Sequence, residues 1–360
     1  MKKLFLEKMK DEEIVYQEKN TKIYYKDKMI NYPFQMNIHQ LEKEEFIDCL
    51  YDLYNKNEKE NYDNFLDMLY GKFGKSITEK FLKPYNEKLY ACNLELLDKD
   101  AMGRFFPYAN IEQIINNMKA NVNNSYNNTF LYPKEGAVVF LEKLYENIDK
   151  NRVKLNTEII NLDTENKIAE LKNGTKIKYQ YLINTIPFNC FLKLFKEKYL
   201  NLEESLSYNQ VLVFNLGFEK NSENNEHWIY FPDKDINFYR VGFYNNILNE
   251  NKMSLYIEIG YPKGSKINVD EQLQLTLKNL EKVGIIKNNK LVDYNYIIMN
   301  PAYVHINTEH MKNIEKVKHE LSNQDVYTIG RYGDWTYCSM EDCMLSAKEL
   351  VKSIKEREEK

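Results

Sequence analysis

The residues whose types and spacing best suit binding chemistry stand together near the end of the 360-residue sequence, in GRYGDWTYCSMED at positions 330–342. Ser339 and Asp342 have the spacing of a capping box, so a helix opens at Met340 and turns unpaired N–H groups and partial positive charge toward the preceding loop. Arg331 adds a guanidinium fork of the kind that pairs with phosphate. The plainer reading of the same residues is a capping box with a salt-bridged arginine, and the pattern alone does not choose between them. A second group, Trp228, Tyr239, Arg240 and Tyr303, joins aromatic faces that stack on rings to another phosphate-competent arginine. Its alternative is sheet packing with a surface arginine. No side chain presents itself as nucleophile or general base, so no catalytic residue is assigned.

Cys338 and Cys343 have neither a second cysteine pair nor a nearby histidine, so no metal site is expected and both are read as packing residues. The cysteines number 5 and are mostly scattered, which argues for reduced thiols rather than a disulfide framework. His39, His227, His305, His310 and His319 form no cluster. Lys+Arg 50 against Asp+Glu 54 leaves a net charge of -4, which suggests no nucleic-acid partner. The opening MKKLFLEKMK is interrupted by Glu7 and Lys8 before it could form a signal-peptide core, and no window is apolar for the length of a membrane span. A soluble, cytoplasmic protein of about two domains is the expectation.

The elements that must position these residues follow from periodicity. Residues 21–35 read as a hairpin turning at Lys26-Asp27-Lys28. From Leu41 to about Tyr126 the apolar spacing is helical, with Pro84 and Pro107 at breaks. Residues 133–190 form an α/β unit: a turn at 133–136, a helix over 138–148, extended segments at 153–155, 158–162, 167–171 and 176–178, and a strand over 181–187. Asn173-Gly174 marks a hairpin. Strands follow at 211–216, 228–232, 238–243 and 254–259, then a helix over 269–283 and an extended stretch over 294–303. A sheet with one open face accounts for them economically. At the end come a buried strand at 326–329, an irregular loop at 330–337, and a helix whose apolar face holds Met340, Cys343, Met344, Ala347, Leu350, Val351 and Ile354.

The tail 330–342 resembles the C-terminal flavin-binding motif of the amine-oxidase and protoporphyrinogen-oxidase-like FAD flavoproteins, on the branch near UDP-galactopyranose mutase. Tyr126-Asn127, Phe130-Leu131-Tyr132-Pro133 and Gly136 are similar to that family's entry into its FAD-domain helix, and residues 182–187 to its strand ending in a T-x-P turn. Residues 228–232 and 238–243 resemble its substrate-domain sheet; 32–35 and 81–88 also fit. The likeness implies a mixed α/β fold, an incomplete FAD-binding Rossmann-like domain interleaved with a sheet-and-helix substrate domain. It places the substrate domain at 1–132 and 194–320 and the FAD domain at 133–193 and 321–360. Residues 133–190 and 324–360 are then expected to pack as one layered unit. The likeness further implies that Gly330, Arg331, Tyr332, Tyr337, Met340, Glu341 and Asp342 hold FAD: the helix start at the flavin edge, Arg331 at the pyrophosphate, Glu341 or Asp342 at a ribityl hydroxyl.

One part of the family pattern is missing. None of the 12 glycines stands in G-x-G-x-x-G, and Gly71 and Gly74 fall within a helical region. The resemblance therefore implies weak or absent FAD binding by this chain alone. Two functions follow. One is a flavoenzyme acting on a nucleotide sugar or related small substrate in polysaccharide biosynthesis, completed by a separately encoded N-terminal FAD-binding fragment or a start lying further upstream. Its chemistry is either hydride acceptance or a mutase-like attack by reduced flavin N5 on an anomeric carbon. The other is a non-catalytic remnant or partner subunit that keeps the substrate-binding half.

Overall fold

The computed structural model describes residues 1–120, 128–221 and 223–359, so Tyr126 and Asn127 of the expected FAD-domain entry lie outside the described residues. The chain divides into two compact units. One comprises Lys2–Leu144 and Asn209–Ala302; the other comprises Met1, Tyr145–Tyr208 and Tyr303–Lys360. Each draws on separated stretches of sequence, and the fold class is mixed α/β. Among the described residues no helix is long and apolar enough to cross a membrane.

The first unit is built on a seven-stranded sheet. In spatial order its strands are Leu291–Met299, Asn209–Phe218, Ser254–Pro262, Arg240–Phe243, Trp228–Tyr230, Thr21–Tyr25 and Lys28–Asn31. All neighbours are antiparallel except Trp228–Tyr230 and Thr21–Tyr25, which run parallel. Alternation decides the faces. Leu255, Ile257 and Ile259 point to one side, where they meet Leu212, Phe214, Leu216, Val241 and Phe243 in a closed core. Helix Val269–Lys282 covers that side with Leu273 and Leu280, and Asn268 caps its start through the Glu271 N–H. The opposite side carries Trp228, Tyr230, Arg240, Tyr256 and Glu258. The predicted extended stretch at 294–303 is the edge strand Leu291–Met299, which starts and stops earlier than its aromatic residues suggested.

The helices of this unit settle the role of two glycines. A Cβ on Gly71 would meet the Tyr62 ring at 2.1 Å, and one on Gly74 would meet the Asp52 carbonyl oxygen at 2.5 Å. Both glycines let chain segments cross closely inside helical packing. Helix Lys83–Tyr90 approaches the sheet in the same way, since a Cβ on Gly260 would lie 2.2 Å from the Lys88 carbonyl oxygen. From this helix Lys88 donates to the carbonyls of Phe231, Asp233 and Phe238 at 2.8, 2.7 and 2.6 Å, tying the turn between two strands to the helix.

The second unit holds a three-stranded antiparallel sheet, Ile159–Asp163, Ile168–Leu171 and Lys176–Lys178, and a parallel pair, Leu182–Asn184 with Val326–Thr328. Its core gathers Phe188, Phe191, Leu206, Val304, Val326 and Trp335, closed by Ile314, Val317 and Leu321 of helix Thr308–Ser322. Of residues 153–155, expected to be extended, Val153 has extended backbone (φ -95°, ψ 120°) just after a 3₁₀ turn at Lys150–Arg152 whose start is capped by Asp149, and the stretch belongs to no strand. The tail also departs from expectation: Gly330–Gly333 is one helical turn rather than irregular loop. The terminal helix Met340–Glu358 has the anticipated capping box, but no residue of it is buried, so its apolar side is left open.

Burial pushes the Lys88 amine down to about 7, with Asp233 pulling the other way. Between that value and the ordinary 10.5 the unfolded chain holds the extra proton, so stability rises with pH across the window. Lys88→Met should lower stability by about 2 kcal/mol, because the carbonyls lose a donor that carries three hydrogens when charged and two when neutral, and should flatten this slope. Urea denaturation at both ends of the window measures the two effects; an unchanged midpoint and slope would contradict the assignment.

Candidate functional site

In the second unit the tail is seated on the carboxyl ends of the parallel strands. A Cβ on Gly333 would lie 2.9 Å from Thr328 Oγ1 and 3.0 Å from the Asn184 carbonyl oxygen, so only glycine lets the turn come so close. Thr328 Oγ1 donates to the Gly333 carbonyl at 2.5 Å and accepts from Asn184 Nδ2 at 3.1 Å. Gly330, at φ 82°, donates its N–H to Asp334 Oδ2 at 3.0 Å. These bonds fix the loop that leads to the terminal helix.

Within that loop Arg331 is already engaged. Its Nη1 donates to the Cys338 carbonyl at 3.1 Å, and its guanidinium carbon lies 4.6 Å from the Tyr337 ring centre and 5.4 Å from that of Tyr303. Tyr303 and Tyr337 are stacked at 5.9 Å, giving a cation–π ladder. Tyr332 packs against the Trp335 core. Asp342 Oδ2 accepts from the Ser339 N–H and hydroxyl, both at 2.8 Å, and Glu341 pairs with the Met1 α-ammonium at 2.7 Å. Met340 is exposed at the helix start, where first-turn N–H groups lie outside the intrahelical ladder. Cys338 Sγ and Cys343 Sγ are 3.6 Å apart, and burial together with the neighbouring thiol pushes Cys338 up to about 12.

Also in this unit, a cleft of about 1170 Å³ borders the carboxyl end of the Leu182–Asn184 strand, lined by Thr185, Ile186, Leu162, Leu171 and Phe191 among others. Ligands of open α/β sheets bind beyond the carboxyl ends of the strands.

The other predicted group divides. Tyr303 belongs with the tail loop, whereas Trp228, Tyr239 and Arg240 share the sheet unit. There Glu258, which the sequence reading missed, organises the polar face. It stands directly opposite Arg240 in the ladder and accepts from Arg240 Nε at 3.0 Å and from Nη2, and its other oxygen accepts from the Tyr239 hydroxyl at 2.5 Å. Tyr239 is fully buried, so it positions Glu258 rather than meeting a ligand. Trp228 Nε1 donates to the Tyr230 hydroxyl at 3.0 Å, and Tyr230 packs against Tyr32 and Tyr85 at 5.1 and 5.2 Å. Tyr256 lies across Gly242, where a Cβ would meet its ring at 1.9 Å, and packs on Tyr244 at 4.9 Å. Burial raises the Tyr230 and Tyr256 phenols, so the face consists of neutral hydroxyls, ring surfaces and one carboxylate-paired arginine. It can stack on a ring and exchange hydrogen bonds with hydroxyl groups. Among the described residues no group of three or more His, Cys, Asp or Glu side chains could hold a metal ion.

Known structures share the fold of the chain. Reduced UDP-galactopyranose mutase superposes with a TM-score of 0.85 at 22% identity, covering 93% of this chain and 77% of that one. The mixed α/β fold is therefore one that this chain shares with that enzyme. A candidate protoporphyrinogen oxidase from Exiguobacterium sp. 255-15 gives 0.75 at 15% identity, covering 99% of this chain and 84% of its own. Cyclohexylamine oxidase from Brevibacterium oxydans IH-35A gives 0.67 at 8%, covering 99% and 86%. No family model matches the sequence.

Glu258→Ala should release Arg240 and strip the buried Tyr239 hydroxyl of its acceptor, costing about 2–3 kcal/mol by chemical denaturation. Glu258→Gln, which keeps one acceptor, should cost less. Equal stability of all three proteins would show that the network organises nothing.

Proposed function

We propose that the chain is a flavin-dependent enzyme of the oxidoreductase or mutase type, acting on a nucleotide sugar or related small substrate in polysaccharide biosynthesis. The observation that carries this reading is the tail: a glycine turn set on the ends of two parallel strands, followed by a capped helix start and an arginine. Residues 330–342 would hold the flavin end of FAD, with the Met340 helix start favouring negative charge on the ring and Arg331 turning from its tyrosine ladder to a phosphate. The bound flavin supplies the redox or nucleophilic chemistry. On the sheet unit, Trp228 and Tyr230 would stack on the substrate ring, and Arg240, held by Glu258 and Tyr239, would meet a phosphate or hydroxyl.

The ADP end of FAD needs a dinucleotide-binding βαβ segment, joined upstream or supplied as a separate polypeptide. Three features support a surface for it. A parallel pair of strands is too small to bury itself. Ile183 and Ile186 stay 45% and 47% exposed beside the cleft. The terminal helix has no buried residue. A second reading, a non-catalytic partner that keeps substrate binding, is favoured by one fact: Arg331, Glu341 and Asp342 each have partners within the chain.

Adding a purified βαβ segment from a full-length relative should create an FAD complex that is weak or absent without it. Arg331→Ala should then weaken FAD binding about ten-fold or more, as expected for loss of a charge-assisted contact of roughly 1.5–3 kcal/mol, while Tyr337→Phe has a smaller effect. Equal FAD affinity with and without the arginine would refute the phosphate role. Association of the two pieces with no flavin complex would favour the non-catalytic reading.

A further inference from the structure

The terminal helix begins between two cysteines. Cys338 stands just before the N-cap Ser339, and Cys343 lies at the fourth helical position, the two places whose side chains meet when an apolar pair staples a helix start. Their Sγ atoms are 3.6 Å apart. Both are half-buried, whereas Cys49 is enclosed, so a small reagent can reach this pair. Cys343 Sγ faces the Gly330 turn, 3.8 Å from where a Cβ would stand there.

The segment between the two sulfurs is already closed by other bonds. Asp342 Oδ2 accepts from the Ser339 N–H, the Ser339 hydroxyl accepts from the Asp342 N–H at 3.3 Å, and the Cys343 N–H donates to the Ser339 carbonyl at 3.1 Å. Arg331 Nη1 holds the carbonyl of Cys338 itself. Folding has therefore already met most of the entropy cost of closing a ring from 338 to 343, and a disulfide needs the sulfurs to approach by only about 1.5 Å. Two leucines would staple the helix start as well as two thiols do. Thiols in contact add a chemistry that the packing does not require.

We propose that Cys338 and Cys343 form a reversible disulfide that clamps the start of the terminal helix, with a low-molecular-weight disulfide such as oxidised glutathione as the oxidant. A thiolate of one cysteine attacks a sulfur of the reagent and expels one glutathione thiolate, leaving a mixed disulfide. The other cysteine, as thiolate, attacks the protein sulfur of that mixed disulfide and expels the second glutathione. Two protein thiols are oxidised, one glutathione disulfide is reduced to two thiols, and the protons these take up are the two that the cysteines release. Burial and the Cys343 thiol, helped by Asp342, hold the proton on Cys338, and Arg331 opposes them. Closure is therefore slow at neutral pH and quickens as pH rises. The pair stands on its own sulfurs and needs neither flavin nor a second polypeptide.

Equilibration of the whole chain with defined mixtures of reduced and oxidised glutathione at mildly alkaline pH, followed by acid quenching, alkylation of the remaining thiols and mass spectrometry, tests this. Trypsin cleavage after Arg331 and Lys348 releases residues 332–348, which carry both cysteines. The expected product is this peptide unalkylated and lighter by two hydrogens, converted by dithiothreitol to a doubly alkylated form. The glutathione ratio at half-closure gives an effective concentration for the pair, expected to be about ten-fold or more higher in the folded chain than in urea. Hydrogen exchange of the 338–345 segment should slow in the oxidised protein. An effective concentration no higher than in urea, or glutathione adducts without ring closure in the folded chain, would overturn the proposal and leave the pair as a packing staple. Closure without slower exchange would overturn the clamp.

Discussion

The sheet unit depends on one register: Arg240–Phe243 against Ser254–Pro262, with Arg240 opposite Glu258 and Gly242 opposite Tyr256. Side chains alternate across a strand, so this pairing decides which residues enter the core beneath helix Val269–Lys282 and which remain on the polar face. A slip of one residue would drive Glu258 and Arg240 into hydrocarbon and bring Ile257 to the aromatic surface. The ion pair and the Tyr239 hydroxyl bond form only in the observed register. The polar network therefore helps to specify the apolar packing on the other side, and the packing keeps the network in place.

The other unit depends on close backbone approach. Gly333 rests on the ends of both parallel strands, Thr328 and Asn184 bond across the seam, and the terminal helix starts from this support. Its helix start, Arg331 and paired tyrosines are therefore held by backbone contacts rather than by burial of the helix itself. A helix with an apolar side and no buried residue has more hydrophobic surface open than its own contacts require.

Much of this was legible in local sequence. Lys26 and Asp27 announced the hairpin at 21–35, and both adopt the positive φ, 48° and 61°, that a two-residue turn demands. Ser339 and Asp342 announced the last helix. Features set by distant partners were hidden. Nothing in residues 21–25 signals a parallel partner at Trp228–Tyr230. Glu258 was visible only as one charge in an apolar strand, a signal that could have flagged it, but its partners follow from the register. Tyr303 was grouped with Trp228 by residue type, whereas the chain places it in the unit of the tail loop.

We propose that the parallel pair and the terminal helix receive a dinucleotide-binding segment and, with it, hold FAD. Hydrogen exchange followed by mass spectrometry, with and without such a segment and FAD, tests it most directly. Slowed exchange confined mainly to residues 182–186 and 326–345 is the predicted result. Unchanged exchange in these stretches, under conditions where the segment demonstrably associates, would contradict it.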